Sequence, residues 1–559
     1  MNAVPDKMLA WPLFGAGFEN FGKDDKPCEI PVPEIGDDEL LVRIDAIGLC
    51  FSDVKLIRAG EEHPRVISEN LSDNPVIPGH EAVMTVMKVG DKEKARFSPG
   101  QRFIIQADIF VNGKGFAYGY AIDGGMAQYS RIDQRVLNGD EGCYLLPIAD
   151  DTPAGIAALI EPWTCVIASY MIEHRETPLK GGKTLVAAGT GGAAGFSPGK
   201  LLAENNPAEI ALLDIAPEFE KELRAACPDS KFEILSEDSD AEFDDIFLCG
   251  IENPDKAVEL ISRAARNAAI NFVGTYPEGK LDIDVGAVHY QGWFLQGATS
   301  NNLSDAYGRN VRTKLKPGGV CWLPGGAGAM GQMHTQLAVE DENGPVRILV
   351  SDLDDERIAN VEKLLGETVR KRGIEFKTLN PKNFASPEEF NKAVADFAPE
   401  GFDDIVMLVP VPAILEDAAT ILGTDGLMNI FAGIPAGKTA KLDISGIVEK
   451  GHRFIGSSGS LTEQLRYTLN LVETGKIDPV SALAAVGGMM DLKKGLEGVA
   501  NAKFPGKTVI FPQLLDMPLT PIEKLGELHP KIAAALEKSG GIYSMEVENA
   551  LARVFGEKD

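Results

Sequence analysis

The hydrophobic positions follow two different patterns along the chain. Residues 39–47 alternate apolar and polar side chains, and turn pairs such as Asn74-Pro75 are dense up to about residue 175. This pattern predicts a compact β-rich domain. Segments 180–305 and 315–480 instead alternate strand-like and helix-like stretches, as parallel doubly wound sheets do. We therefore predict an α/β chain whose first part is β-rich.

Two places in the alternating region have the pattern of a dinucleotide-binding turn. In each, an apolar run leads into a G-x-G-x-x-G/A turn, and a second apolar run ends in an acid about twenty residues later. The glycines permit a close backbone approach to a pyrophosphate, the next helix offers N–H donors, and the acid accepts from a ribose. The candidate cofactor-binding residues are Gly189, Gly191, Ala194 and Asp214 in the first turn, and Gly326, Gly328, Gly331 and Asp352 in the second.

The sequence after the two turns also repeats. The block Phe243-Asp244-Asp245-Ile246 recurs as Phe402-Asp403-Asp404-Ile405, at an offset of 402 − 243 = 159 residues. Leu281-Asp282-Ile283 likewise recurs as Leu442-Asp443-Ile444. Several blocks in one order at nearly one offset indicate the duplication of a whole domain. We predict two tandem doubly wound parallel-sheet (Rossmann) domains.

The remaining segments complete the predicted organisation. Residues 481–512 return to short strands, and residues 520–555 have the pattern of two helices with a break at Ser539-Gly540-Gly541. The predicted domains are residues 1–178 completed by 481–512, a first Rossmann domain at 179–305, a second at 306–480, and a helical C-terminal extension at 513–559.

Composition and charge narrow the classes of function. Of 559 residues, 44% are hydrophobic and 25% charged, and the net charge of −29 disfavours nucleic acid or an anionic membrane as a partner. An anionic substrate would need a local basic cluster. The seven cysteines have no close spacing, and no apolar run approaches the length of a membrane span. We therefore expect a protein of the reducing cytoplasm.

Four residues of the β-rich part have the chemistry of one zinc site. Cys50 follows a predicted strand, His80 and Glu81 lie in a Gly-His-Glu turn, and Glu161 stands at the head of a helix. Zinc accepts thiolate, imidazole and carboxylate together, and a catalytic zinc keeps one position open. Singly, such a cysteine is more often a small core residue, so the prediction depends on the combination. Ser52, two residues after the cysteine, could relay a proton.

These residues together resemble the medium-chain dehydrogenase/reductase superfamily of zinc alcohol and polyol dehydrogenases. Within it, the sequences of residues 74–81 (NPVIPGHE) and 401–405 (GFDDI) most resemble those of the sorbose-1-phosphate reductases and their sugar-alcohol phosphate dehydrogenase relatives. The resemblance covers residues 30–175 and 315–512. It implies a GroES-like catalytic domain with one zinc, held by Cys50, His80 and a carboxylate from Glu81 or Glu161, with water or the substrate oxygen as the last ligand.

Three departures limit the resemblance. Many relatives hold a second, structural zinc through four closely spaced cysteines, but residues 106–129 contain none, so we expect no structural zinc. Residues 180–305 have no counterpart in an ordinary member, which has one nucleotide domain. The helical tail after residue 512 is also extra.

The sequence favours the second glycine turn as the working cofactor site, because it has all three glycines and its surroundings resemble the family's own. No basic residue immediately follows Asp352, which favours NAD over NADP. The first copy could be a scaffold with an empty or degenerate groove. Family dimers join their nucleotide domains edge to edge into one sheet. We therefore expect either a homo-oligomer or an intrachain Rossmann pseudo-dimer that makes this contact internally.

The implied activity is hydride transfer between NAD(H) and a secondary alcohol or ketone, with Ser52 passing the proton outward. The expected substrate is a polyol, sugar or sugar phosphate. Lys55 and Arg58 could receive a phosphate or form a solvated helix face. His63, Trp163 and Tyr118 could line the pocket or simply pack.

Two other functions stay open. One is a threonine-type amino-alcohol dehydrogenase. The other is a nucleotide-responsive binding or assembly protein whose active site has decayed, although decay usually removes a metal ligand first.

Overall fold

The computed structural model describes residues 4–236 and 239–556. The chain forms two compact units. Unit 1 consists of Met1–Ile167 and Gly459–Asp559, and unit 2 is Ala168–Ser458. The predicted fold class of a β-rich domain, two doubly wound parallel sheets and a helical extension is confirmed.

The first part of unit 1 consists of short strands with few helices, as the alternating pattern predicts. Its strands are β1 (Lys7–Ala10), β2 (Cys28–Pro31), β3 (Leu40–Leu49), β4 (Glu81–Val89), β5 (Arg102–Ile105), β6 (Phe110–Val111), β7 (Lys114–Gly115), β8 (Tyr129–Ile132) and β9 (Leu145–Pro147). Its helices are α1 (Phe51–Ala59), α2 (Gln134–Leu137), α3 (Ala154–Ala157) and α4 (Ile160–Ala168).

The first nucleotide fold of unit 2, called copy 1, alternates strands and helices. Its strands are β10 (Lys183–Ala188), β11 (Glu209–Leu213), β12 (Lys231–Ile234), β13 (Phe243–Cys249), β14 (Ala264–Val273), β15 (Lys280–Asp284) and β16 (Phe294–Ala298). Its helices are α5 (Gly199–Asn205), α6 (Pro217–Ala226), α7 (Pro254–Ile261) and α8 (Val285–Gln291).

The second nucleotide fold, called copy 2, has the same order of elements with longer helices. Its strands are β17 (Val320–Pro324), β18 (Arg347–Ser351), β19 (Glu375–Leu379), β20 (Phe402–Met407), β21 (Leu422–Ile430), β22 (Thr439–Asp443) and β23 (Arg453–Ile455). Its helices are α9 (Ala329–Glu340), α10 (Asp355–Arg372), α11 (Pro387–Phe397), α12 (Pro412–Ala419) and α13 (Ile444–Val448).

The chain then returns to unit 1. This part comprises α14 (Thr462–Glu473), β24 (Leu483–Gly488), α15 (Leu492–Ala500), β25 (Lys507–Phe511), β26 (Thr520–Pro521), α16 (Leu525–Leu528), α17 (Pro530–Lys538) and α18 (Met545–Phe555). The predicted break at residues 539–541 lies between α17 and α18. The extension nevertheless has three helices, because the short α16 precedes α17.

The main sheet of unit 1 is mostly antiparallel, in the order β26-β24-β25-β3-β4-β5-β9, with β8 also pairing with β3. Strand β25 pairs with β3, with Val509 opposite Gly48, so the returning segment completes the sheet built by the first part of the chain. Apolar side chains such as Ile44, Ile47 and Ile510 form the core beneath it. This sheet therefore fixes the positions of the residues directly after β3 and directly before β4.

Helix α14 lies in unit 1 rather than with the second Rossmann fold, where the boundary at residue 480 would put it. Its two ends are bonded to residues of the β-rich part. The Thr462 amide donates to the Glu141 carboxylate at 2.7 Å, and the Glu473 carboxylate accepts from the Ala149 amide at 3.3 Å. The assignment of α14 to unit 1 therefore follows from these contacts and not from the position of the helix in the sequence.

The two sheets of unit 2 have the same topology. The orders β12-β11-β10-β13-β14-β16 and β19-β18-β17-β20-β21-β23 are both parallel throughout, which is the doubly wound arrangement. The duplicated sequence thus corresponds to a duplicated fold.

The repeated Phe-Asp-Asp-Ile block has one structural role in both copies. Its first aspartate accepts from the amide that opens the first strand, Asp244 from Lys183 at 2.8 Å and Asp403 from Val320 at 2.9 Å. Its second aspartate is buried and pairs with an arginine ahead of that strand, Asp245 with Arg175 and Asp404 with Arg312. The repeat is therefore a structural brace at the amino ends of the strands, opposite the glycine turns.

The two copies are joined by an antiparallel pair, β15 with β22, in which Leu281 lies opposite Leu442. These leucines are equivalent residues of the duplication, so the pair has the symmetry of a two-fold contact. Edge strands β16 and β23 lie next to each other, and the Arg453 guanidinium donates to the Leu295 carbonyl at 2.6 Å.

In the part of the chain that the structure describes, the two copies form two separate six-stranded sheets, so the expected single continuous sheet does not form. Apolar side chains lie between the edges instead, with Phe294, Leu427 and Ile455 in one cluster. The copies therefore contact each other through side chains and the β15–β22 pair. No helix in the described residues is both long and apolar enough to cross a membrane.

Candidate metal centre and cofactor grooves

Three of the four predicted metal ligands converge at one edge of the unit 1 sheet. Cys50 follows β3 and His80 precedes β4, and the register places Gly48 opposite Glu81. One ligand atom each from Cys50, His80 and Glu81 lies within 4.8 Å of the others. Thiolate, imidazole and carboxylate in this spacing match the donors that zinc binds.

Asp53 holds the first two of these ligands in place. Its carboxylate accepts from the Cys50 amide at 3.0 Å and bonds His80 Nδ1 at 3.0 Å, while the Asp53 side chain is fully buried. The bond to Nδ1 leaves Nε2 as the ligand nitrogen. Burial lowers the pKa of His80, but the Asp53 carboxylate outweighs it, so the pKa is raised well above 6.5.

One carboxylate oxygen of Glu81 has a hydrogen-bond partner, and the other has none among the described residues. Its Oε1 accepts from Lys507 Nζ at 2.5 Å, and both side chains are buried. Its Oε2 is buried with no hydrogen-bond partner among the described residues. A buried carboxylate oxygen without a partner is costly, and a cation would compensate for it. This orphaned oxygen is the observation that best fits a metal at this position.

Glu161, the fourth predicted ligand, lies beside the cluster rather than in it. It is half-buried in the first turn of α4, and its Oε1 accepts from the Cys165 thiol at 3.6 Å, one turn further along the helix. Burial raises the pKa of Glu161 to about 7, with Glu81 adding to the rise and His80 opposing it. The structure therefore favours Glu81 over Glu161 as the carboxylate of the three-residue set.

The other predicted site residues have different surroundings. Ser52 is half-buried in the first turn of α1. Lys55 and Arg58 lie near the exposed Phe51 ring, 6.0 and 5.9 Å from its centroid. Trp163 and Tyr118 are fully buried, so they pack in the interior.

The His63 ring lies 5.2 Å from the Tyr120 ring at a tilt of 32°, and the Tyr120 ring lies 5.8 Å from the His80 ring. No sequence pattern pointed to Tyr120. None pointed to Lys507 either, since 426 residues separate it from Glu81. The Cys50-x-x-Asp53 spacing at a helix start was a readable signal for Asp53.

The lobe at residues 106–129 is held together by hydrogen bonds. The Asp140 carboxylate accepts from the Asn112 and Gly113 amides at 2.7 and 2.8 Å, which fixes the turn between β6 and β7. The Tyr144 hydroxyl accepts from the Phe110 amide at 3.1 Å. These bonds connect strand β6 and the turn between β6 and β7 to residues 140–144.

The glycine turn of copy 1 does not lead directly into a helix. Helix α5 begins only at Gly199, and the intervening loop bonds back to the fold, with the Ser197 amide donating to the Asn301 carbonyl at 2.9 Å. The Phe196 ring lies at the carboxyl ends of β13 and β14, where a side chain at Gly274 would come within 2.7 Å of it. A dinucleotide normally lies at this edge. The copy 1 loop therefore places Phe196 at the edge where a dinucleotide would lie.

The glycine turn of copy 2 has the geometry that copy 1 lacks. Helix α9 begins at Ala329 with Gly328 as its N-cap, so its free amides point from the turn itself. A methyl group at Gly331 would come within 2.1 Å of the Gly325 carbonyl oxygen, so only glycine fits there. Leu353 and Val411 are exposed apolar side chains after β18 and before α12.

The two grooves differ at one pair of matching positions, which hold Arg357 in copy 2 and Phe219 in copy 1. Arg357 lies in the first turn of α10, with Nη1 3.9 Å from where a Cβ on Gly328 would be. Burial raises the pKa of Asp352, and the nearby Arg357 opposes the rise. The residue at the matching distance after Asp214 is Phe219, which is buried and 6.2 Å from Phe196. Copy 2 thus has a cation at the glycine turn where copy 1 has an aromatic core residue.

Comparisons with known proteins agree with this architecture. Residues 36–138 match the alcohol dehydrogenase GroES-like domain. The chain is 24% identical to mannitol-1-phosphate 5-dehydrogenase of Aliivibrio fischeri, over 95% of this chain and 96% of that protein. It is 21% identical to L-sorbose 1-phosphate reductase of Klebsiella pneumoniae, over 94% of this chain and 95% of that protein.

Among solved structures, a putative zinc-binding dehydrogenase from Sinorhizobium meliloti bound to NADP aligns with a TM-score of 0.51 and 15% identity, covering 91% of this chain and 100% of that chain. The resemblance to the medium-chain dehydrogenase/reductase superfamily is confirmed by these matches. These matches support a dehydrogenase or reductase, and the two near full-length relatives quoted above are named for a phosphorylated polyol and a phosphorylated ketose.

Proposed function

We propose that the chain is a zinc-dependent oxidoreductase that transfers hydride between NAD(H) and a secondary alcohol or ketone. The observation that carries this proposal is the set of Cys50, His80 and Glu81, with Glu81 Oε2 buried and unpartnered among the described residues. These three residues would hold the metal. A zinc ion bound there would supply a Lewis acid that stabilises negative charge on the substrate oxygen.

The chain's own residues prepare this chemistry. Asp53 orients His80 and the Cys50 backbone, and Lys507 fixes Glu81 from the other side. Ser52, half-buried two residues after Cys50, takes the alcohol proton and passes it outward. Glu161, whose pKa burial raises to about 7, is a second group that can hold a proton beside the site at neutral pH.

The second glycine turn is the proposed cofactor site. Gly326, Gly328 and Gly331 supply the turn at the start of α9, and Asp352 accepts from the ribose. NAD is preferred because the carboxylate repels a 2′-phosphate, although Arg357 beside it softens this preference. Gly189, Gly191, Ala194 and Asp214 belong to the groove at which Phe196 lies and have no role in binding the working cofactor.

The proposed substrate is a polyol or its phosphate ester. Two near full-length relatives are named for mannitol 1-phosphate and L-sorbose 1-phosphate. A net charge of −29 makes an anionic substrate dependent on local cations, and such cations are present near the candidate metal centre.

Metal analysis tests the proposal directly. We expect about one zinc per chain after purification without chelators, and its loss in Cys50→Ser. The matched control is Cys143→Ser, which removes another half-buried thiol of unit 1, bonded only to a backbone carbonyl at 3.8 Å. Loss of metal and of NAD-linked polyol oxidation in the first variant alone supports the enzyme. A wild-type protein without metal or turnover would instead favour a nucleotide-responsive binding protein.

A further inference from the structure

Basic side chains lie near Tyr120, whose ring also lies near His80. The Arg65 guanidinium lies 5.5 Å from the Tyr120 ring centroid, and His63 lies 5.2 Å from the same centroid. Burial, with smaller contributions from Arg65 and Lys55, lowers the pKa of His63 to about 4, so these three side chains are close enough to interact. The His80 ring is 5.8 Å from Tyr120. A metal ligand and the cations Arg65 and Lys55 therefore lie around one aromatic ring and its histidine neighbour.

Arg65 is held in place but keeps donors free. Its Nη1 pairs with Asp108 at 2.6 Å, while 43% of the side chain stays exposed. Asp108 is itself held, because its amide donates to the Gln106 side chain at 3.1 Å. A guanidinium fixed through one nitrogen presents its remaining N–H groups in one plane, which suits the two oxygens of a phosphate.

We propose that Arg65, assisted by Lys55, forms an anion subsite that binds the phosphate of a phosphorylated polyol or ketose whose carbinol carbon lies at the Cys50–His80–Glu81 centre. The inference rests on the proposed function, since it assigns the substrate class of the same site. Arg65 is the principal residue because Asp108 and Tyr120 fix its position. Arg58 lies only beside the exposed Phe51 ring and carries no such constraint.

The separation of the two subsites suits such a substrate. The phosphate and the reacting carbon of a polyol phosphate are several bonds apart, so the two binding groups must be near each other without touching. The buried Tyr120 ring lies near both groups, 5.8 Å from the His80 ring and 5.5 Å from the Arg65 guanidinium, which suits this spacing.

Kinetics with a matched pair of substrates test the subsite. Mannitol 1-phosphate and mannitol are compared as substrates of the zinc-loaded enzyme with NAD. In Arg65→Ala we expect the KM for the phosphate ester to rise about 30-fold or more, with little change in kcat and none in the KM for mannitol. Arg65→Lys should recover part of the loss, because it keeps the charge but not the planar fork.

The control is Arg96→Ala. Arg96 also pairs with an acid, Glu93 at 3.1 Å, and lies 5.2 Å from an aromatic ring, that of Phe97, in the same unit. It should leave both KM values unchanged. An equal effect of Arg65→Ala on both substrates, or no effect on either, would overturn the subsite.

Calorimetric titration separates failure of the subsite from failure of the proposed function. If the wild-type enzyme oxidises neither polyol, the proposed function is wrong, and inorganic phosphate is then titrated into the same protein. Heat of binding in the wild type that is lost in Arg65→Ala and kept in Arg96→Ala supports the subsite independently. Equal binding by wild type and Arg65→Ala, or no binding at all, rejects it.

Discussion

Glu81 and Lys507 form a buried ion pair at 2.5 Å across 426 residues of sequence. The antiparallel pairing of β25 with β3, and of β3 with β4, brings the two side chains together. Burial lowers the pKa of Lys507, but Glu81 outweighs it and raises the pKa above the usual value. Strand β25 of the returning segment thus supplies the counter-charge for a candidate metal ligand in the first part of the chain.

Replacing Lys507 by methionine should destabilise unit 1 strongly. The Glu81 carboxylate would be left buried without its cation, which typically costs about 3–5 kcal/mol. Urea unfolding should show the loss, and the metal-free protein should recover part of it in the double variant Lys507→Met, Glu81→Gln. Lys7→Ala breaks the exposed pair with Glu29 at 2.6 Å and should have a far smaller effect. Equal effects of the two lysine variants would contradict the buried-pair argument.

The proposed cofactor site of copy 2 can be tested by adding one methyl group to its glycine turn. Gly331→Ala would bring a Cβ within 2.1 Å of the Gly325 carbonyl oxygen and distort the turn at the start of α9. We expect the NADH dissociation constant to rise about tenfold or more, measured by fluorescence titration. The matched change in copy 1 is Ala194→Gly, which should leave NADH binding unchanged because Phe196 lies at the edge where a dinucleotide would lie in that copy. Weakened binding in Ala194→Gly would show that copy 1 takes part.

Stability should fall as the pH is lowered below neutrality, partly because of His334. This ring is buried on α9, bonded through Nδ1 to the Tyr170 hydroxyl at 2.7 Å, and burial lowers its pKa to about 3. Between pH 6.5 and about 3, the His334 ring is protonated in the unfolded chain but stays neutral in the folded chain. The stability gained from the neutral ring is therefore complete above pH 6.5 and is lost progressively below it.

Unfolding of His334→Gln between pH 4 and 7 provides the measurement. Its stability should depend less steeply on pH than that of the wild type, by up to about 1.4 kcal/mol per pH unit. Tyr170→Phe removes the hydrogen bond but keeps the titrating ring, so it should lower stability without flattening the profile. A flattened profile in Tyr170→Phe alone would contradict this assignment.

The C-terminal extension should stabilise the segment that leads to Glu161. The Glu548 carboxylate on α18 accepts from the Ala154 and Gly155 amides at 2.8 and 2.9 Å, at the start of α3, and from the Tyr543 hydroxyl at 3.0 Å. Glu548→Ala leaves these donors unpaired, which should cost about 1–3 kcal/mol in urea unfolding. Glu546→Ala, an exposed acid on the same helix, is the control and should change little. No difference between the two variants would show that the cap is unimportant.

Much of the fold follows from patterns that the sequence displays locally. The two glycine turns, the acids after them and the repeated Phe-Asp-Asp-Ile blocks predict two doubly wound sheets, because short-range periodicity and turn chemistry are local properties. The sequence did not predict the structural role of the repeated block. Only the folded chain shows that Asp245 and Asp404 each pair with an arginine ahead of the first strand.

The candidate site divides in the same way. The sequence by itself predicted Cys50, His80, Glu81 and Glu161 as candidate zinc ligands, with the choice between the two carboxylates open, and it predicted two nucleotide folds in tandem. Only the tertiary structure decided that Glu161 lies beside the other three and that Lys507 balances Glu81. It also decided that Tyr120 lies near His80, that Arg65 lies near Tyr120, and that Phe196 lies at the first groove. Those outcomes depend on strand register and loop packing between residues far apart in the chain, which no local pattern specifies.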